Sequence, residues 1–138
     1  MKARYVFVDT SAFLAVLDRS DRLHDAAREA WEKMLTRGDI FVSHNYVLVE
    51  TYAVVLRRLG LEAVRVFERD VVPILRLAWV TRDIHEAAVA AHLMAARRDL
   101  SLVDCASFEV MRRAGLTRAF AFGDHFGEYG YELEPGNR

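Results

Sequence analysis

Four acidic side chains interrupt stretches that are otherwise apolar, where a solvated surface charge is not expected. Asp9 follows Tyr5-Val6-Phe7-Val8 and precedes Ala12-Phe13-Leu14. Asp124 follows Ala119-Phe120-Ala121-Phe122, with Gly123 between. Glu50 lies within Tyr46–Leu56, a helical stretch apolar nearly all round and therefore expected to be largely buried. A lone carboxylate there is costly unless it is paired or holds a metal. Asp104 falls on the border of a helical core face formed by Val103, Ala106, Ser107, Val110 and Ala114. Glu109 falls on the far side with Arg112 and Arg113, where an i,i+4 ion pair is natural. Each of the four acids also has an ordinary use. Asp9 can cap a helix, as can Thr10 or Ser11. Glu50 can pair with Arg57, Asp104 can close a capping box with Ser101, and Asp124 can serve a turn. With 20 acidic residues in the chain, those uses weigh on every choice.

Gathered in one crevice, four carboxylates repel and raise one another's pKa. A divalent cation reverses that balance. Hard oxygen ligands without a His or Cys set favour Mg2+ or Mn2+ over zinc. The histidines His24, His44, His85, His92 and His125 show no ligand spacing and read as surface or core residues; only His125, beside Asp124, can face such a site. A carboxylate-bound cation suits phosphodiester hydrolysis, because it activates a water and offsets the charge building on the phosphorane. In that reading Asp9, Asp104 and Asp124 are the principal ligands. Glu50 acts through a water or positions the nucleophile, and the products carry 5′-phosphate and 3′-hydroxyl ends.

The elements that must position these acids alternate along the chain. Tyr5–Val8 is a short buried strand. Helices are predicted over Ser11–Arg19 and Leu23–Arg37, the second stopped by Gly38. Ile40–Val42 is a strand, followed by helices from Asn45 to Gly60 and from Leu61 to Leu75. Leu77–Val80 reads as a strand. Asp83–Arg97 is helical, with Asp83 and Glu86 spaced as a capping box and Ile84, Ala87, Ala88, Ala91 and Ala95 on one face. Ser101–Ala114 is a helix stopped by Gly115, Arg118–Phe122 a strand, and Tyr131–Leu133 a last short one. Alternation of this kind makes a mostly parallel sheet with helices on both faces, whose functional crevice lies beyond the carboxyl ends of the strands.

The length of 138 residues fits one domain with one core, and no linker, repeat or low-complexity tract divides it. The hydrophobic share, 53%, is slightly high and suits either a well-filled core or apolar surface covered by a partner. A net charge of −1 excludes a global positive field for nucleic acid, so any such contact is local. All basic residues but Lys2 and Lys33 are arginines, whose planar fork suits phosphate, although ordinary ion pairs account for most of them. Cys105 is the only cysteine, so no internal disulfide is possible and a reducing compartment is the simplest reading. The amino terminus lacks a signal peptide's apolar core, and no run approaches the ~20 apolar residues of a membrane span. The expectation is a cytoplasmic protein.

The same residues carry a family resemblance over nearly the whole chain. Val8-Asp9-Thr10-Ser11-Ala12-Phe13, Tyr46–Thr51 with Leu56–Gly60, Leu100–Ser107, and Phe120–Phe126 with Gly130-Tyr131 resemble, in this order, the four motifs of PIN-domain ribonucleases. The chain is most similar to the VapC-type toxins of toxin–antitoxin pairs. The resemblance implies a three-layer α/β/α PIN-like fold around a mostly parallel sheet of about five strands. It implies Mg2+- or Mn2+-dependent endonucleolytic cleavage of RNA, with the family's acids matching Asp9, Glu50, Asp104 and Asp124. The hydroxyl after the first acid matches Thr10 or Ser11, which support the acid or touch substrate. A homodimer and an antitoxin partner are implied as well. The pattern departs at Phe122, where the family often has threonine, and Asp99 is either an extra acid or a helix-start residue.

A phospho-acceptor receiver domain is the main rival, being a parallel sheet with an acidic Mg2+-binding edge. It expects paired acids after the first strand and a lysine after a late strand; Thr10-Ser11 follows Asp9, and neither lysine is placed to serve. A haloacid-dehalogenase-like phosphatase needs an aspartate where Ser11 stands. A non-catalytic binding module with an acidic pocket is the remaining alternative. The apolar Tyr46–Leu59 helix is the expected dimer surface.

Overall fold

The computed structural model describes residues 4–136. Five strands, β1 (Tyr5–Val8), β2 (Ile40–His44), β3 (Leu75–Ala78), β4 (Arg118–Phe120) and β5 (Glu132–Glu134), form one sheet in the order β3-β2-β1-β4-β5, with every neighbouring pair parallel. Val6, Phe7 and Val8 are fully buried, as a central strand covered on both faces must be. Register pairs Val6 with Phe41 and Val8 with Phe120. From β1 the chain moves outward to β2 and β3 on one side, and later to β4 and β5 on the other. The order therefore reverses between β1 and β4, and the carboxyl ends of those two strands flank the switch point where open sheets place their ligands.

The helices are α1 (Thr10–Leu17), α2 (His24–Thr36), α3 (Asn45–Leu59), α4 (Leu61–Val66), α5 (Arg82–Ala95), α6 (Leu102–Ala114) and α7 (His125–Glu128). Trp31 of α2 stacks on Phe41 with ring centroids 4.5 Å apart. Phe126 of α7 is buried against Phe7 and Phe108 at 6.0 and 5.1 Å, which pins the short helix to the core. Gly115 ends α6 in the left-handed region at φ 69°, a conformation costly for residues with a Cβ. Among the described residues, no helix is long and apolar enough to cross a membrane.

The helix expected over Leu61–Leu75 is interrupted. After α4 the chain widens into a π turn over Phe67–Val71, closed by the Val72 N–H donating to the Phe67 carbonyl, and then tightens into a 3-10 turn over Val72–Ile74. Pro73 lacks an amide hydrogen and cannot continue the helix. β3 consequently starts at Leu75 rather than Leu77, and Trp79 lies beyond it, 64% exposed. The nearly continuous apolar stretch Val71–Val80 gives no alternation from which to read that phase. The capping box expected at Asp83 and Glu86 does not form: Thr81 is the cap residue of α5, its hydroxyl bonds Asp83, and Glu86 pairs with Arg82 at 3.3 Å. Of the alanine-rich face, only Ala88 is buried. The strand expected to reach Phe122 ends at Phe120. Nor is α3 buried all round: Val47, Leu48, Thr51 and Val55 face inward, while Val49 is 67% and Leu56 52% exposed.

Candidate active site

Asp9 sits where β1 ends and α1 begins. Its amide donates to the Phe120 carbonyl at 3.1 Å, which ties it to the end of β4. It is the cap of α1, as one ordinary use foresaw: Oδ2 accepts the Ser11 amide at 3.1 Å and the Ser11 hydroxyl at 2.7 Å. Capping occupies one oxygen only, and among the described residues no hydrogen bond reaches Oδ1. The carboxyl is buried, and burial pushes its pKa up to about 6. The Ser11 bonds oppose that rise, while the charges of Asp104 and Glu50 add to it. Glu50 and Asp104 therefore both stand within electrostatic reach of Asp9.

The two hydroxyls after Asp9 have separate tasks. Ser11 serves the acid, and its oxygen also accepts the Phe122 amide at 3.0 Å. At Phe122 the backbone thus supplies a polar contact to the site, whatever its side chain. Thr10 is buried and turned toward α3, where its hydroxyl accepts from Thr51 at 3.2 Å and lies 3.5 Å from the Val47 carbonyl. Thr51 adjoins Glu50, so this link holds the turn of α3 that carries the glutamate against the start of α1. Glu50 itself is half-buried, and among the described residues it makes no ion pair, with Arg57 or any other cation.

Asp104 occupies the third position of α6. Its Oδ2 accepts the Ser101 amide at 3.1 Å while its own amide donates to the Ser101 hydroxyl at 3.0 Å, so the capping box read from the sequence is present. The same Oδ2 lies 3.3 Å from His125 Nδ1, and His125 Nε2 lies 3.5 Å from Asp99. Asp99 does not start α6, since Ser101 is the cap; it pairs with Arg97 at 2.8 Å, which holds its pKa down at about 2.

Asp124 is placed differently. It is exposed just before α7, makes no capping hydrogen bond, and lines a surface cavity with Gly123, Gly127, Glu128 and Leu133. Glu50 and Asp104 are thus within reach of the Asp9 charge, whereas among the described residues no hydrogen bond or ion pair joins Asp124 to them. Among the described residues, no three His, Cys, Asp or Glu side chains close into a ready metal cage. The donor chemistry nevertheless fits a hard cation: a buried carboxylate with one uncommitted oxygen, made unfavourable by its own burial and by two neighbouring acids.

Sequence reasoning missed three buried polar residues around these acids. Ser43 donates to the Val8 carbonyl at 3.0 Å, and like it His44 and Thr51 are fully buried. A β-strand ending in Ser-His is the signal that was present, but an imidazole is not a preferred cap and nothing in the spacing distinguished His44. A further buried acid, Asp39, lies at the opposite end of the sheet just before β2. Burial there works against its charge, yet Arg37 at 2.9 Å and Arg118 at 3.3 Å hold its pKa below the usual carboxylate range. Asp39 is neutralised by arginines, whereas Asp9 stands beside acids with no cation bonded to it among the described residues.

Comparison with known proteins identifies the family. A family model described as the PIN domain matches residues 6–130. The 23S rRNA-specific endonuclease VapC20 of Mycobacterium tuberculosis is 33% identical over 132 residues, covering 94% of this chain and 98% of that protein. The crystal structure of that VapC20, described as a sarcin–ricin loop cleaving toxin, superposes with a TM-score of 0.81 at 32% identity, over 91% of this chain and 95% of the other. FitAcB from Neisseria gonorrhoeae shares the fold at a TM-score of 0.67 and 9% identity, over 93% and 95% of the two chains. The chain belongs to the PIN-domain family of ribonucleases, in its VapC-type branch.

Proposed function

We propose that this protein is a Mg2+- or Mn2+-dependent endoribonuclease and the toxin of a toxin–antitoxin pair. The observation that carries the reading is Asp9: buried at the switch point between β1 and β4, flanked by the charges of Glu50 and Asp104, with one oxygen uncommitted. Asp9 and Asp104 would hold the cation, Glu50 would reach it through a water, and Asp124 would complete the set. When bound, a divalent cation supplies the positive charge that acidifies a water and offsets charge gathering on the phosphate. The chain's own part is to keep Asp9 ionised through Ser11 and to fix α3 and α6 so that their acids face it. Cleavage would leave 5′-phosphate and 3′-hydroxyl ends.

The substrate proposed for first trial is 23S rRNA, the RNA in the name of the VapC20 relative. Exposed Val49 and Leu56 on α3 and Leu93 and Met94 on α5 support a homodimer and a cytoplasmic antitoxin as partners. The deciding experiment is cleavage of 23S rRNA, and of a hairpin carrying its sarcin–ricin loop, with Mg2+ or Mn2+, with EDTA, and with Asp9→Asn. Cleavage that needs the metal and Asp9 is expected. Cleavage that persists under both EDTA and the substitution would end the proposal.

A further inference from the structure

His44 is fully buried at the end of β2 and bonded on both ring nitrogens. Nδ1 accepts the Val47 amide at 3.3 Å, which makes the imidazole the cap of α3. A nitrogen that accepts carries no proton, so the hydrogen is on Nε2. Nε2 donates to the Ser107 hydroxyl at 2.8 Å, and Ser107 in turn donates to the Val103 carbonyl at 2.9 Å. Val47 lies one turn before Glu50 on α3, and Val103 immediately precedes Asp104 on α6. One imidazole therefore joins the end of a central strand to both helices that carry flanking acids.

We infer that His44 and Ser107 are positioning residues for the acidic site, a buried strut that sets the spacing of Glu50 and Asp104 about Asp9. The inference rests on the nuclease reading and names what holds its acids in place. An apolar pair would fill the same space without the cost of burying an imidazole and a hydroxyl, a cost met here only because every donor and acceptor in the series is used. Burial also keeps the ring neutral near neutral pH, with its pKa pushed down to about 4, and the bonds to Val47 and Ser107 select its tautomer. Rigid support of this kind matters because displacing a reacting group by ~1 Å can cost ~100-fold in rate.

Ser107→Ala removes the tie to α6 and leaves the cap of α3. His44→Asn keeps a capping oxygen but is too short to reach Ser107. Mn2+ affinity of the metal-free protein, measured by calorimetry with the metal alone, is expected to weaken about tenfold in each, within the ~10–100-fold range for outer partners of a metal site. Single-turnover cleavage of 23S rRNA should slow about 10–100-fold, with the half-saturating RNA concentration within about twofold of wild type. The double variant should match the worse single variant, because the two residues act as one unit. Val110→Ala, a cavity in the same helix, is the control for lost stability alone: Tm falls while Mn2+ affinity stays. Folded Ser107→Ala protein with wild-type Mn2+ affinity and rate, beside an active wild type, would overturn this inference alone. A wild type that neither takes up Mn2+ nor cleaves RNA would sink the nuclease reading and this one with it.

Discussion

Ser11 holds Asp9 from both of its own polar groups, amide to Oδ2 at 3.1 Å and hydroxyl to Oδ2 at 2.7 Å, while its oxygen receives the Phe122 amide at 3.0 Å. These bonds favour the ionised carboxylate against the burial that disfavours it. Removing the hydroxyl in Ser11→Ala should raise the Asp9 pKa above its value of about 6. The acid limb of the pH–rate profile should therefore move to higher pH. The rate at pH 6.5 should fall about tenfold, in keeping with the ~10–100-fold effect of such supporting groups, and recover partly by pH 8. A profile that stays in place or moves to lower pH would contradict the assignment.

Asp9→Asn should abolish metal-dependent cleavage and yet stabilise the metal-free protein at neutral pH. An acid whose folded pKa lies above its unfolded value takes up protons on folding, so stability falls as pH rises from about 4 to about 6 and stays lower above that. The asparagine escapes this loss. His44 has the opposite sign: its folded pKa of about 4 lies below the ordinary 6.5, so its contribution is lost as pH drops through that interval. In the wild type the two effects largely cancel between pH 4 and 6. In Asp9→Asn the His44 effect stands alone, so urea titrations should show this variant losing stability on acidification faster than wild type.

Asp39→Ala should destabilise without disarming. It leaves Arg118 and Arg37 with Glu134 alone at 2.7 and 2.8 Å, and breaking a buried ion pair costs about 3 kcal/mol. Urea unfolding should report that loss. Cleavage per folded molecule should match wild type, because this network lies at the amino end of β2, across the sheet from Asp9.

If α3 forms the proposed homodimer contact, wild type should sediment as a dimer at micromolar concentration and Leu56→Glu as a monomer. The side chain is 52% exposed, so a charge there costs the isolated fold little. It would place an unpaired carboxylate in an apolar interface. An unchanged sedimentation coefficient would remove α3 from the dimer contact.

The strand–helix alternation and the acids ending β1 or lying in α3 and α6 were legible because they follow from local rules: strand periodicity, the capping box of Ser101 and Asp104, and the αL stop at Gly115. The phase of β3 was not legible. It is set by pairing of Phe41 with Leu75 and His44 with Ala78, partners over thirty residues apart, and by the π turn that precedes Pro73. The exposed face of α3 was hidden for a similar reason, since an all-round apolar helix carries no mark of which face meets the sheet. Asp124 was chosen by its place after an apolar run, and its exposure is set by the chain beyond β4. There Phe126 enters the core and leaves Asp124 outside.

Asp9 and Asp104 each commit one carboxylate oxygen to the protein frame. Oδ2 of Asp9 is bonded by Ser11, and Oδ2 of Asp104 by Ser101 with His125 beside it, while the other oxygen of each bears no hydrogen bond among the described residues. In the proposed site an ion would meet one free oxygen from each of these two carboxylates, each held from its other side. Small octahedral ions accept that kind of grip, whereas calcium draws on flexible, often bidentate carboxylates. Discrimination between magnesium-sized and calcium-sized ions would then be written into the turns that begin α1 and α6, ahead of any contact with the ion itself.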